Sequence, residues 1–365
     1  MRIITGAVEQ ENGYQINFLK EPETTLAEAL AGELHLFTTF ERGNSEFHPT
    51  LIINTISEPA ILLGRYQNEA STLKEEAWKY PVLRRLSGGQ AVFMDKGSVF
   101  ITFILPEYSK YLKAQTIRSV PKILNDIMLS AFRTEGLSLS LAAADVLTKR
   151  GYEVGGVGFE ITEKTAVCEC WLGMNSSLKL PEGTNAYPAL SDEAFTRKPI
   201  AITEILDDST FPQWDQTMAE IISLKMRWER YKVVESTWKW LDRERIAGLK
   251  SRVTIDKPTS ENSELTFSRL IEDYIGFVQA AVSTTEGRMF QEVKIFGDFL
   301  ADSAGIALLE EKLRWSPVKK RPIALIIDDI LGNQGHVILG LKRLGTILEA
   351  IMDASGKEET ETEGD

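Results

Sequence analysis

Apolar residues in the first half of the chain alternate between helical and strand spacing. Over residues 24–40 Leu26, Leu30, Leu34 and Phe37 recur at helical intervals, and Thr24 or Thr25 stands where a cap belongs. Short β-rich runs follow at 51–53, 60–63, 82–83, 91–93 and 99–105, with Gly88-Gly89 and Lys96-Gly97 as turns. The helical period returns over 120–132 through Ile123, Leu124, Ile127 and Met128, and Pro121 suits a first turn. Gly151, Gly155, Gly156 and Gly158 then crowd beside Val154 and Val157 as a glycine-rich hairpin, and 165–172 reads as a paired strand. Residues 181–212 are loop-rich, and 215–231 predict a helix carrying Met218, Ile221, Ile222 and Met226.

The polar stretch 256–263 is the best linker in the chain. Beyond it strands are predicted at 277–282 and 289–296, joined through Thr284-Thr285-Glu286-Gly287, and helices at 304–315, 318–330 and 336–352. Strands and helices in this order predict an α+β fold: mixed sheets with flanking helices in a large domain over 1–245, and a small α+β domain over 256–352. Residues 353–365 are acidic without apolar anchors and are expected to form a disordered tail.

Length and charge bound the function. The 365 residues leave room for two domains, and 43% hydrophobic with 26% charged residues is ordinary globular composition. Lys plus Arg is 41 against 53 Asp plus Glu, a net charge of −12, which gives no general attraction to nucleic acid or anionic lipid. No apolar run approaches the ~20 residues that span a bilayer, and no signal-peptide core is seen near Met1. Cys168 and Cys170 cannot build a disulfide framework, so a reducing, cytoplasmic setting is expected. His35, His48 and His336 are too scattered for a Cys/His metal site.

The most informative segment is Arg84-Arg85-Leu86-Ser87-Gly88-Gly89-Gln90-Ala91-Val92-Phe93. Paired glycines let backbone N–H groups approach a ligand as an anion nest, and an adjacent arginine offers a planar fork to carboxylate or phosphate. The plainer reading is a tight turn between strands with exposed basic neighbours. Upstream lies Leu63-Gly64-Arg65-Tyr66-Gln67-Asn68; downstream lie Asp145 and Gly151-Tyr152-Glu153-Val154-Gly155-Gly156-Val157-Gly158.

In that order these segments, with Asp95 and Gly97 completing the middle one, resemble the lipoate–protein ligase A family of the lipoate/biotin ligase fold. Gly287, the run Val293-Lys294-Ile295-Phe296-Gly297-Asp298-Phe299 and the run from Leu308 fit the family's small accessory domain, and Trp238 and Trp240 fit its aromatic connector. The resemblance implies ATP-dependent activation of lipoate or octanoate to an acyl-adenylate and transfer to a lysine of a lipoyl-domain carrier. It implies ATP with Mg²⁺ and lipoate as ligands, Arg84 on the nucleotide or its phosphate, and Ser87, Gly88, Gly89, Gln90, Ala91, Val92, Gln67 and Gly156 around the pocket.

The sequence departs from the family pattern where the charge matters. The family carries a lysine in the glycine-rich hairpin, bridging the acyl carboxylate and the α-phosphate; Glu153 takes that position here. Unit charges ~4 Å apart interact by about 4 kcal/mol at an effective dielectric near 20, so the exchange bears directly on an anionic ligand. Met94 replaces a common histidine and Gln90 a third glycine. Lys149 or Arg150 would compensate if a register slip turned one inward, and Mg²⁺ bridged by Glu153 is another route. The primary expectation is therefore a lipoate–protein ligase-like protein. The alternatives are an inactive or partner-dependent homologue that binds lipoate or a lipoylated carrier, and a cysteine-dependent lipoyl or octanoyl transferase using Cys168 or Cys170. Buried strand cysteines acting as small hydrophobes are the plainer account of that pair.

Overall fold

The structure is a computed structural model that describes residues 14–43, 47–114, 116–190, 197–206, 212–228, 230–258 and 264–356. In chain order its elements are β1 (Tyr14–Thr24), α1 (Leu26–Glu41), β2 (Thr50–Ile56), β3 (Ala60–Leu63), α2 (Glu69–Thr72), β4 (Val82–Arg84), β5 (Val92–Met94), β6 (Val99–Pro106) and α3 (Val120–Thr134). There follow β7 (Ser140–Ala142), β8 (Val146–Lys149), β9 (Tyr152–Ile161), β10 (Thr165–Leu172), α4 (Thr217–Lys225), β11 (Tyr231–Glu235) and α5 (Trp240–Val253). The C-terminal segment holds β12 (Thr266–Phe267), β13 (Ile271–Glu272), β14 (Phe277–Thr285), β15 (Met289–Gly297), β16 (Leu300–Ala301), α6 (Ser303–Leu313), α7 (Lys320–Leu331), β17 (Ile338–Leu339) and α8 (Gly345–Ala354). The fold is α+β.

An eight-stranded sheet in the order β11-β1-β2-β6-β10-β9-β8-β7 is the backbone of the first unit. Its central strands β6 and β10 are buried at every position, so both faces are covered. On one face α3 and α4 close the main apolar core, which takes in Phe103, Leu124, Phe132, Cys168, Cys170 and Trp214. Against the other face lie α1, α5 and a three-stranded sheet, β4-β3-β5. Helix α1 starts in a capping box: Thr25 Oγ1 accepts the Glu28 N–H, and the Glu28 carboxylate accepts the Thr25 N–H. The first unit's packing runs on to Ile255, whose N–H donates to Val82 O at 2.9 Å.

In the C-terminal segment β14 pairs with β15 on one edge and with β12 and β13 on the other, and α6, α7 and α8 bury a second core around Val278, Phe290, Ile323 and Ile351. Tyr66 of the first unit belongs to this second core.

Several expectations need correction. The helix expected over 336–352 begins only at Gly345, because Ile338–Leu339 pairs with Leu300–Ala301 and Gly340 adopts φ +87°. The helix expected over 215–231 stops at Lys225: Arg227 has φ +59°, and Tyr231–Glu235 is a strand parallel to β1. Strands β1 and β11 are additions that the sequence patterning did not reveal. Residues 357–365 of the expected tail lie outside the described residues, while 353–356 continue or close α8. Among the described residues no helix is long and apolar enough to cross a membrane.

Candidate active site

The Ser87-Gly88-Gly89-Gln90 turn links β4 to β5, and the two arginines before it go opposite ways. Arg84 turns toward the β3–α2 connection, where Nη1 donates to the carbonyls of Gly64, Arg65 and Gln67 at 3.0, 3.1 and 2.6 Å, and Nη2 meets Glu69 Oε2 at 2.7 Å. Arg85 runs beneath the turn. It is fully buried, its guanidinium stacks 4.2 Å from the Trp171 ring, and it donates to Ser87 Oγ and to the carbonyls of Gly88, Gln90 and Leu62. Burial pushes its pKa down to about 10, against the opposing pull of Glu169, Asp145 and Asp298.

Behind the turn, Glu169 of β10 accepts the N–H groups of Leu86 and Ser87 at 3.1 and 3.0 Å. Glu33 of α1 backs this carboxylate. Its own pKa is pushed well up by burial and then by the Glu169 charge. Alternation along β10 sends Cys168 and Cys170 to the opposite face, into the main core. The glycines of β9 make room for these layers: a side chain at Gly156 would begin 2.4 Å from Trp171 Nε1, and one at Gly158 would begin 2.1 Å from Ser87 Oγ. Ser87 and Gly156 thus shape the frame, and Val92 pairs with Leu62 as a buried strand residue.

The C-terminal segment closes the front. Gly89, at φ +92°, donates its N–H to Phe299 O at 3.1 Å, and a Cβ on Gly88 would sit 2.2 Å from the same oxygen. The Gln90 side-chain amide donates to Ile275 O. Gln67 accepts the Gly64 N–H and passes a hydrogen bond to Asp298 Oδ1 at 2.7 Å, while Asp298 Oδ2 accepts the Phe277 N–H. Tyr66 stacks on Phe299 and donates its hydroxyl to Ala301 O. A cavity of about 140 Å³ remains between the two units, lined by Gln67, Gln90, Ala91, Asn185, Tyr187 and Asp298 among others. Burial pushes Asp298 up to about 7, against the Phe277 N–H and Gln67.

Glu153 reaches this site by way of a β-bulge. Thr148 pairs with Glu153 and Leu147 with Gly155, leaving Val154 as the extra residue. Val154 joins the main core, so Glu153 falls on the face of Gly156 and Gly158. Lys149 pairs with Tyr152 and takes the other face, so the register does not turn it inward. Glu153 is half-buried, and burial followed by the charge of Asp145 pushes its pKa up to about 7. Asp145 is buried beside Gly89, and burial, opposed by Arg85, raises it to about 6. Asp145 and the glycine turn come together, whereas Arg84 turns away toward the β3–α2 connection. Arg85, Glu169, Glu33 and Asp298 belong to the site although their sequence roles were not assigned. The Cys-Glu-Cys alternation would have placed Glu169 on the face opposite the cysteines.

A phosphate brought to this turn, as the family resemblance implies, does not fit the residues here. The Asp145 carboxyl lies against the turn, its Oδ2 3.0 Å from where a side chain on Gly89 would begin. Arg85 is committed to carbonyls, and the Gly89 N–H is already occupied. Among the described residues no group of three or more His, Cys, Asp or Glu is arranged to hold a metal ion.

Comparison with known proteins accords with this architecture. The model described as "Lipoyl protein ligase A/B catalytic domain" matches residues 25–205. "Probable lipoate-protein ligase A" of Mycoplasma pneumoniae is 24% identical over 254 residues, covering 66% of this chain and 71% of that protein. "Lipoate--protein ligase 1" of Staphylococcus aureus is 24% identical over 253 residues, covering 67% and 74%. The crystal structure of P. falciparum LipL1 in complex with lipoate shares the fold at TM-score 0.60 and 14% identity, over 92% of this chain and 99% of that one. The chain belongs to the lipoate–protein ligase family.

Proposed function

We propose that this protein engages a lipoyl- or octanoyl-type acyl group on, or destined for, a lipoyl-domain carrier, and that it does not form the acyl-adenylate by itself. In this reading the 1–245 segment holds the site, and the 256–352 segment closes over it as a separate domain. A reducing, cytoplasmic setting suits the two free thiols.

The observation that carries the reading is Glu153. The bulge sets it on the face of β9 that carries Gly156 and Gly158, and burial with the Asp145 charge raises its pKa, at the position where the family resemblance puts a lysine bridging two anions. Like charges held close in a buried corner oppose each other strongly, and an incoming phosphate adds to that opposition.

Pyrophosphate exchange with lipoate and with octanoate tests it. Wild-type protein is expected to show no exchange but to bind an unmodified or lipoylated lipoyl domain, and Glu153→Lys is expected to recover part of the exchange. Exchange by the wild type overturns the reading in favour of autonomous ATP-dependent ligation. Retention of the Ser87-Gly88-Gly89 turn above a buried arginine is what favours that second reading. A cysteine-bound acyl group finds no support, since both thiols lie in the core behind β10.

A further inference from the structure

The β14–β15 turn and the connection from α6 to α7 meet at one end of the C-terminal segment. Val318 donates its N–H to Arg288 O at 2.9 Å, Phe290 to Ser316 O at 3.1 Å and Trp315 to Phe290 O at 2.7 Å. Trp315 holds φ +64° and is 58% exposed, with the Arg314 guanidinium 5.7 Å from its ring. This end gathers Arg288, Lys312, Arg314, Lys319, Lys320 and Arg321, all exposed, against Glu286 and Glu311. Among the described residues Arg288, Lys312, Arg314, Lys319 and Arg321 form no ion pair. The first turn of α7 adds the positive end of its dipole. On a chain of net charge −12 this is a patch of the opposite sign.

The complement of this patch stands in the same chain. Residues 357–365, outside the described residues, carry Glu358, Glu359, Glu361, Glu363 and Asp365 against Lys357. Helix α8 leads toward the patch. Its Thr346 bonds to Asp273 ahead of β14, and its Asp353 accepts the Arg269 N–H at 2.7 Å, next to Ser268, whose N–H donates to Ala280 O. Helix α8 therefore runs along β14 toward the β14–β15 turn and ends level with the middle of that strand. The stretch of β14 from Ala280 to Thr285 spans ~17 Å, and the nine residues after Gly356 reach up to ~30 Å. Helix α7 starts at the turn and shares the second core with α8 through Ile323 and Ile351. Arg269, the cation nearest the end of α8, is already met by Glu349 and Asp353.

We propose that the acidic segment 357–365 docks on the basic patch of its own chain, over Lys312, Arg314, Lys319 and Arg321. Exposed ion pairs contribute little one at a time, but a short tether holds the segment at about millimolar effective concentration, so several weak pairs suffice. An outside acidic surface has to displace the segment before it meets these cations. All the charges lie at the surface, so salt loosens the contact.

Zero-length carbodiimide cross-linking of the full chain, with peptide mapping of the monomer fraction by mass spectrometry, tests the contact. Amide bonds are expected between carboxyls of 358–363 and Lys312 or Lys319, and are expected to fade when salt is raised to about 0.5 M. Joint reversal of Lys319→Glu and Arg321→Glu, both at exposed positions, is expected to cut the yield on Lys312 by about fivefold or more with circular dichroism unchanged. Cross-links to Lys312 and Lys319 no more frequent than to the exposed Lys225 of the first unit overturn the proposal. Cross-links confined to a dimer fraction overturn it too, and make a second copy the occupant of the patch.

Discussion

The Gly89 N–H donates to the carbonyl oxygen of Phe299 across 3.1 Å, so the turn that the sequence marks as an anion nest is closed by the protein's own main chain. Gly88 presses on the same oxygen, and a Cβ there would lie 2.2 Å from it. The Gly88→Ala variant must therefore push the 297–301 segment away. A destabilisation of about 1–3 kcal/mol is expected by urea unfolding, with faster amide exchange at Gly89 and Gly297. Unchanged exchange at Gly89 would show that the contact does not hold the two units together.

A pH dependence follows from two carboxyls buried between the units. Burial raises Glu160 to about 7 despite Arg65, and Ser303 donates its hydroxyl to Oε1. Asp298 is raised likewise. Each binds its proton more tightly in the folded protein than in the unfolded chain. Their contribution is full below the ordinary carboxylate range and is lost as pH rises through about 7. The urea midpoint is expected to fall between about pH 5 and about pH 8. Glu160→Gln keeps the acceptor for Ser303 and is expected to flatten part of that slope. An unaltered slope in this variant would clear Glu160 of the effect.

Arg85 and Arg84 should respond differently to substitution by lysine. Arg85 is wholly enclosed, and a lysine cannot reproduce its fork onto Gly88 and Gln90; a loss of about 3–5 kcal/mol is expected in denaturant titration. Arg84 is only half-buried, and its replacement is expected to cost about 1–2 kcal/mol. Equal costs would contradict the burial difference.

The two thiols should be inert in the native protein. Cys168 and Cys170 are buried, and the Cys170 thiol is pushed well up by its contact with Cys168 and by burial. A disulfide-exchange reagent is expected to find no reactive thiol under native conditions and both in denaturant. Prompt native labelling would reopen the cysteine-dependent alternative.

Local patterning made much of this fold legible. The Leu26 to Phe37 period and the Thr25 cap survive as α1, and 165–172 is β10 to the residue. What stayed hidden depends on distant partners. Tyr14–Thr24 and Tyr231–Glu235 are strands because each lies beside the other across more than two hundred residues, a pairing that no window displays. The turn at Gly88-Gly89 was visible, but the commitment of Arg84 to Gly64, Arg65 and Gln67 was not. That commitment depends on how the β3–α2 connection folds back. The occupant of the nest comes from residue 299, in the connection between β15 and β16.

The extra residue at Val154 has an engineering consequence. Main-chain pairing with Thr148, and the hydrogen bonds that residue 153 exchanges with Lys198 and Ile200, fix where that side chain points whatever its identity. Position 153 thus behaves as a socket with a preset aim. Its chemistry is exchangeable while the main-chain scaffold stays put.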